Sequence, residues 1–271
     1  MRWRSRFFAS LLACAPAAGV DAASLKVDYS IKLAGLTLGT ADLDGTFDGD
    51  RYDMRLKGQL TGLAGAFTGG SRGSATAAGS LGPTRLNATG FSATGESSSA
   101  QRTVRMGVTS GNVTRVEIDP PFEPRPDRVP VTDAQRRGII DPLSAMVAVS
   151  STRARGDDAA TCSRTIPVFD GTQRFDVVLS YAETKAVQKP GFSGNVLVCS
   201  VRYVPIAGHR AERPAVKFMA ETRDISVWLA PVDGTRVLVP IRISVPTLMG
   251  TSVVEAERWS LDATAGRAAT R

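Results

Sequence analysis

From Leu25 the chain alternates strictly, with Leu25, Val27, Tyr29, Ile31 and Leu33 on one side and Lys26, Asp28, Ser30 and Lys32 on the other. A period of two predicts a half-buried β-strand. Ala34-Gly35 interrupts it, and residues 36–47 form a second strand in which Gly39 marks a bulge or a close approach of two backbones. Asp48-Gly49-Asp50 is a turn. Tyr52, Met54, Leu56 and Leu60 then recur at even spacing and leave Arg51, Asp53, Arg55 and Lys57 together on the solvent side. Three such strands in succession predict an antiparallel meander.

Between Gly58 and Ala100 large apolar residues thin out and Gly, Ala, Ser and Thr replace them. Strands are expected over residues 72–80 and 84–94 around Leu81-Gly82-Pro83, because small and β-branched residues with Gly-Pro punctuation suit a tightly curved sheet. A phosphate-binding loop would need Gly-x-x-x-x-Gly-Lys-Ser/Thr ahead of a helical pattern, and the stretch offers neither. Residues 103–108 and 113–118 pair across Ser110-Gly111-Asn112 as a hairpin. The prolines at 120, 121 and 124 stop that sheet, since proline brings no donor to a ladder.

Thr132 with Gln135 resembles a capping box. Asp141 caps a second helix start, with Pro142 at the first helical position, where its missing N–H costs nothing. Leu143, Met146 and Val147 share one face of a helix of about ten residues, too short to hold without packing, so it must dock on the sheet. A hairpin follows, with Cys162, Ile166, Val168 and Phe169 before an Asp170-Gly171 turn and Phe175, Val177 and Leu179 after it. Residues 181–194 read as a polar connection and 196–203 as the strand that carries Cys199. Strands at 215–219, 225–229, 237–245 and 253–261 complete the pattern, and Pro240 and Pro246 suggest edge strands or bulges. The tail 263–271 is expected to fray. The fold class is therefore mainly β: a curved antiparallel sheet, as a β-roll, spiral or open barrel, with one main short helix docked on its concave face. No long linker divides the pattern, so residues 23–262 are read as a single β-rich domain.

Residues 1–22 read as a signal peptide, with Arg2, Arg4 and Arg6 ahead of an apolar run from Phe7 to Val20 and a cleavage site at Val20-Asp21-Ala22. The mature chain is then exported to the periplasm. Leu11-Leu12-Ala13-Cys14 resembles a lipoprotein-processing site, so Cys14 is a candidate for lipidation and a lipid anchor; the alternative is a cysteine lost with the peptide. No later run approaches the roughly 18 apolar residues of a transmembrane helix. Loss of the peptide lowers the net charge of +7 by two, and the remaining basic residues are scattered singly, which suits a solvated face rather than nucleic-acid binding. In an exported chain Cys162 and Cys199 are best read as a disulfide, worth about 4 kcal/mol in the chain-entropy account; a redox couple would want Cys-x-x-Cys.

Candidate chemistry is sparse. His209 is the single histidine, so a histidine-based metal cluster cannot be assembled, and a surface or hydrogen-bonded role outweighs catalysis for a residue at a strand end or turn. No Gly-x-Ser-x-Gly elbow is present. Asp141 and Asp170 are already accounted for by a helix cap and a turn. No metal or cofactor is expected, and the chain is not expected to be an enzyme.

Several segments taken in order carry a family resemblance: YSIKLAGLTLGTADL, DPLSAM, CSRTIPVFDGTQRFDVVL, CSVRYVPIAGHR and VWLAPVDGTRVLVPIRI. Together they resemble the bacterial envelope family catalogued as domain of unknown function 3108, over most of the mature chain. That resemblance implies an exported protein of the Gram-negative envelope with no assigned reaction. A looser likeness, of a sheet curled around a helix, is to the Lol lipoprotein carriers and to β-spiral envelope-integrity proteins; it is architectural and transfers no site. Three function classes follow: a binding protein for a lipid, lipoprotein or peptide in envelope maintenance; a structural or interaction module that holds another envelope protein by a sheet edge or loop; and, least favoured, an exported hydrolase.

Overall fold

The computed structural model describes residues 22–61 and 71–264. The candidate lipidation residue Cys14, and the signal peptide apart from Ala22, lie outside the described residues.

A seven-stranded meander comes first: β1 (Ala22–Leu33), β2 (Leu36–Asp48), β3 (Arg51–Leu60), β4 (Arg72–Leu81), β5 (Leu86–Glu96), β6 (Gln101–Thr109) and β7 (Asn112–Asp119). The β6–β7 turn is the expected one, with Ser110 and Gly111 both at positive φ, as a tight two-residue hairpin requires. A long connector follows. It holds a 3₁₀ turn (Asp133–Arg136), a one-turn helix α1 (Pro142–Ala145), the short strand β8 (Ala148–Val149) and a second 3₁₀ turn (Ala159–Cys162). Then come β9 (Arg164–Phe169), β10 (Arg174–Lys189), β11 (Phe192–Ala207), helix α2 (Pro214–Glu221), β12 (Ile225–Pro231), β13 (Val237–Thr247) and β14 (Gly250–Thr264).

All fourteen strands belong to one sheet, ordered β7-β6-β5-β4-β3-β2-β1-β14-β13-β12-β11-β10-β9, with β8 added against β13. The first and last strands therefore pair in the middle of the sheet. One half runs outward from β1 to β7, the connector crosses to the far edge, and the other half returns from β9 to β14. The sheet curls until its edges approach. Ile139 N–H donates to Gly111 C=O on one side (2.8 Å), and Ile140 pairs in parallel with Val168 on the other, through Ile140 N–H to Pro167 C=O (2.9 Å) and Phe169 N–H to Ile140 C=O (3.0 Å). A Cβ on Gly171, in the β9–β10 turn, would lie 2.6 Å from a methyl of Val104 in β6. The sheet stays open, and Ile139-Ile140 forms the seam between its two edges.

The core follows from the alternation: Leu25, Val27 and Tyr29 in β1 pack with Leu43, Phe47, Tyr52, Met54, Phe91, Met106 and Trp259. Two stretches lack alternation because both their faces are covered. Val196 through Cys199 and Val237 through Ile241 are buried without a break, and such continuous apolar runs are what a doubly covered strand requires. Val196, Val237, Val239 and Ile241 face the main core, while Leu197, Cys199, Leu229 and Leu238 form a second cluster with Ala148 and Cys162.

Four expectations need correction, and for Pro240 one of the two readings is selected. The docking helix is four residues long rather than about ten, because one turn already seats Leu143 and the following Ala148-Val149 leaves the helix to pair with β13 as β8. Residues 215–219 are not a strand but lie in α2, whose Pro214 occupies the first turn, a helix-start signal that the short apolar spacing obscured. Residues 181–194 are not a loose connection: β10 and β11 pair out to Lys189 and Phe192, and the hairpin tip is anchored by Trp259 N–H to Pro190 C=O (2.9 Å). The tail boundary shifts too, since Ala263 and Thr264 still pair with Ala23 and Ala22 in the β1–β14 ladder, and the remainder of the tail lies outside the described residues. Pro240 lies in central β13 opposite Leu229, where the ladder shifts register, so it marks a bulge and not an edge.

Candidate functional site

Directly paired residues share a face, so the register shows what each side of the first half presents. On the inner side, Ile31 pairs with Gly39 near one end of the sheet, and the neighbouring rows are Ala41–Gly58–Gly73 and Leu56–Ala75–Ala93. Where the rest of this face carries Phe47, Tyr52, Met54 and Phe91, these rows carry glycine and alanine. The missing side chains leave an apolar trough of about 520 Å³, lined by Ile31, Ala41, Leu56, Leu60, Ala75 and Ala93; Gln59, Arg72 and Thr94 belong to the alternate rows, whose side chains face outward. Space remains at the glycines: a Cβ on Gly95 would meet nothing within 4 Å, and one on Gly58 would meet the Ala41 Cβ and the Thr40 carbonyl oxygen at 3.6 Å, ordinary contact distances.

A smaller cavity of about 190 Å³ lies in the second half, under α1. Pro142, Ala145 and Met146 roof it; Val168, Phe175, Val177, Val227 and Ile243 are among its walls, and every lining side chain is apolar. Ile243 pairs with Val254 and Val254 with Ile31, so cavity and trough share one row of inward side chains across the central strands.

At the start of α1 lies a buried polar centre. The Asp141 carboxylate is fully enclosed and caps α1 by accepting from Ser144 N–H at 2.9 Å. Ser144 Oγ hydrogen-bonds Tyr52 Oη at 2.7 Å, which fastens the helix to β3. Burial pushes the Asp141 carboxyl above the usual range, its hydrogen bonds to Ser144 opposing, and its second oxygen has no protein partner. Burial likewise raises the phenols of Tyr29 and Tyr52, and Tyr29 Oη donates to Pro240 C=O at 2.7 Å. These groups position helix and strands; none of them faces a second titratable side chain at hydrogen-bond distance.

The residues singled out from the sequence divide into two places. Asp141 and Pro142 start α1, and Asp170 with Gly171 forms the β9–β10 turn; the Ile140–Phe169 hydrogen bond sets the two side by side at the seam. Asp170 Oδ1 accepts from Thr172 N–H (2.7 Å), Thr172 Oγ1 (2.8 Å) and Gln173 N–H (2.6 Å), so this carboxylate is committed to the turn. Away from the seam, Cys162 and Cys199 form a disulfide that ties the end of the connector to β11. His209 is buried rather than at the surface, and its carbonyl accepts from Val129 N–H at 2.9 Å. Among the described residues no group of histidine, cysteine and carboxylate side chains is placed to hold a metal ion. No helix among them is long and apolar enough to cross a membrane. The trough residues went unrecognised in the sequence, although their signal is there: small residues at alternate positions, Gly73, Ala75 and Ala77 in β4, then Ala93 and Gly95 in β5.

No curated protein matches the chain, and no solved structure does. A family model described as protein of unknown function (DUF3108) matches residues 28–257, from the first strand of the sheet to the last, and the chain belongs to that family.

Proposed function

We propose that this protein binds an apolar ligand without transforming it, a lipid, lipoprotein or peptide, in maintenance of the bacterial envelope to which it is exported. The observation that carries the reading is the trough. Its volume of about 520 Å³ falls in the ~300–1,000 Å³ range of small-molecule sites, and the side chains that face into it are apolar. Glycine and alanine open it in a face that is otherwise packed with aromatic and long side chains. The α1 cavity, at about 190 Å³, is the size of a dry apolar void that accepts a small hydrocarbon group, and it extends the same inner surface. Export is supported by the charged and apolar start of the chain and by the disulfide, a bond favoured in oxidising compartments.

Native mass spectrometry of the mature protein, purified gently from the periplasm, tests the reading. A bound apolar molecule is expected, and it is expected to disappear from Gly95→Leu, which adds an apolar side chain to a trough row at a position where a Cβ meets nothing within 4 Å. Wild-type protein that carries no ligand and takes up none from added fatty acids, phospholipids or lipopeptides would remove the basis for it. A second reading, an interaction module, is favoured by β7, which ends the sheet with no strand among the described residues on its outer side. In-cell crosslinking from Thr114 or Arg115 should then capture one reproducible envelope protein.

A further inference from the structure

The three most exposed large apolar side chains among the described residues are Met249 (77%), Leu36 (70%) and Leu248 (61%). They are far apart in sequence yet lie at one end of the molecule, because β1 sits between β2 and β14. Leu36 follows the β1–β2 turn, and Leu248-Met249 forms the two-residue tip of the β13–β14 hairpin, closed by the Thr247–Gly250 pair. Ala34 N–H donates to Thr251 C=O at 3.0 Å, so the two tips are side by side. Turn tips ordinarily carry Gly, Asn, Asp or Ser, and folding does not require Leu-Met at this one.

From these observations we infer that the paired hairpin tips insert Leu36, Leu248 and Met249 into the surface of a lipid bilayer. The surroundings fit that medium. No charged residue occurs from Leu33 to Ala41 or from Ile243 to Val254, so nothing ionic need be desolvated when the tips enter. The flanking cations are matched by carboxylates: Lys32 lies 3.4 Å from Glu257 and Arg242 3.1 Å from Glu255. Part of the turn's polar demand is met internally, with Thr247 Oγ1 donating to Gly250 C=O (2.7 Å) and accepting from Met249 N–H (3.2 Å). The three side chains stand at turn tips and are exposed by more than half, so they can enter a lipid surface without unfolding any strand. The trough ends at the same edge, where Gly39 pairs with both Ile31 and Leu60. The inference stands whether or not the trough holds a ligand.

Flotation with vesicles of phosphatidylcholine, and separately of phosphatidylethanolamine with phosphatidylglycerol, tests it on the full mature chain. Wild-type protein is expected to float with both, and to do so nearly as well at ~0.5 M salt as at low salt, because apolar burial and not charge holds it. The triple variant L36S/L248S/M249S should bind roughly 100-fold more weakly with an unchanged melting temperature. In Leu248→Trp, indole fluorescence should shift to the blue on addition of vesicles. Wild-type protein that stays at the bottom of the gradient, or a triple variant that floats equally well, would overturn the inference. So would a triple variant that loses only self-association in sedimentation, since the tips would then be a contact between copies. Ligand retention, read by mass spectrometry, is a separate outcome, so failure at the tips leaves the trough reading standing and the reverse also holds.

Discussion

Breaking the Cys162–Cys199 bond is expected to cost about 4 kcal/mol, and the structure shows how to isolate that cost. The two residues are 37 apart in sequence, and the chain-entropy relation for a loop of that length gives about 4 kcal/mol at 25 °C. Both residues are fully buried in a cluster with Ala148, Ala154, Leu179, Leu197, Leu229 and Leu238. Reduction of the wild-type protein removes the cross-link but leaves both sulfur atoms in place, so it reads the loop contribution alone. Cys162→Ala with Cys199→Ala also removes the sulfurs, adding about 1 kcal/mol for each small cavity. At roughly 2–4 °C per kcal/mol for a chain of this size, reduction should lower the melting temperature by roughly 8–16 °C, and the double variant should melt lower still and ignore reductant. The assay is thermal unfolding by circular dichroism with and without reductant, alongside thiol titration to confirm that two cysteines are free. An unchanged melting temperature in protein shown to have both thiols free would refute the reasoning, because the loop would then be constrained by something other than the bond.

Asp141→Ala should cost about 1 kcal/mol by removing the cap on α1, whereas Asp141→Asn keeps an acceptor for Ser144 N–H and should cost little. Because burial raises this carboxyl above its ordinary value of 3.8, its contribution to stability is complete below about pH 4 and is lost as pH rises through the raised value. Asp141→Asn should therefore gain on wild type between acid and neutral pH in denaturant titrations, and a difference that does not change with pH counts against the account. Gly39→Ala would place a Cβ 2.3 Å from the Gln59 carbonyl oxygen, a backbone atom held by the β2–β3 ladder, and should destabilise by roughly 1–3 kcal/mol. Gly90→Ala meets nothing within 4 Å and should be neutral or slightly stabilising, so equal melting temperatures for the two variants would sink the steric reading.

Much of this fold is legible in the sequence where one side of a strand faces water. Leu25 to Leu33 and Tyr52 to Lys57 announce themselves by alternation because their outer residues remain polar. The capping pair Asp141-Pro142, the Ser110-Gly111-Asn112 turn and the Asp170-Gly171 turn are legible because their chemistry is local: each residue satisfies backbone groups within three positions of itself. Gly39 is legible for a different reason: glycine inside an alternating strand signals a bulge or a close backbone approach, and the backbone it approaches is that of Gln59 in β3. Reading fails where a partner distant in sequence decides. The outer part of the β10–β11 hairpin is polar along most of its length, and its order comes from its own ladder together with the packing of Phe192 against Trp259, ring centroids 5.4 Å apart. Helix α2 and the one-turn α1 are set by what they rest on, which a window of ten residues does not contain.

The trough is the sharper case, because it is made by absence. A leucine at an alternate position declares its face, but a glycine fits either face and gives no sign of which it serves. Gly58, Gly73, Ala75 and Ala93 become one surface only through the pairings Gly58–Gly73, Leu56–Ala75 and Ala75–Ala93, which join three strands. The same small residues also let the sheet bend, as the Gly-Pro punctuation suggested, so one composition serves both curvature and concavity. The polar outer face of these strands, where Arg72 meets Glu96 through two hydrogen bonds of 3.0 Å, keeps water on the far side of the bend. Large apolar residues substituted into those rows would fill the concavity and stiffen the bend together. Hence Gly95→Leu, at the end of the trough where a Cβ meets nothing within 4 Å, is the substitution chosen to separate occupation of the site from distortion of the sheet.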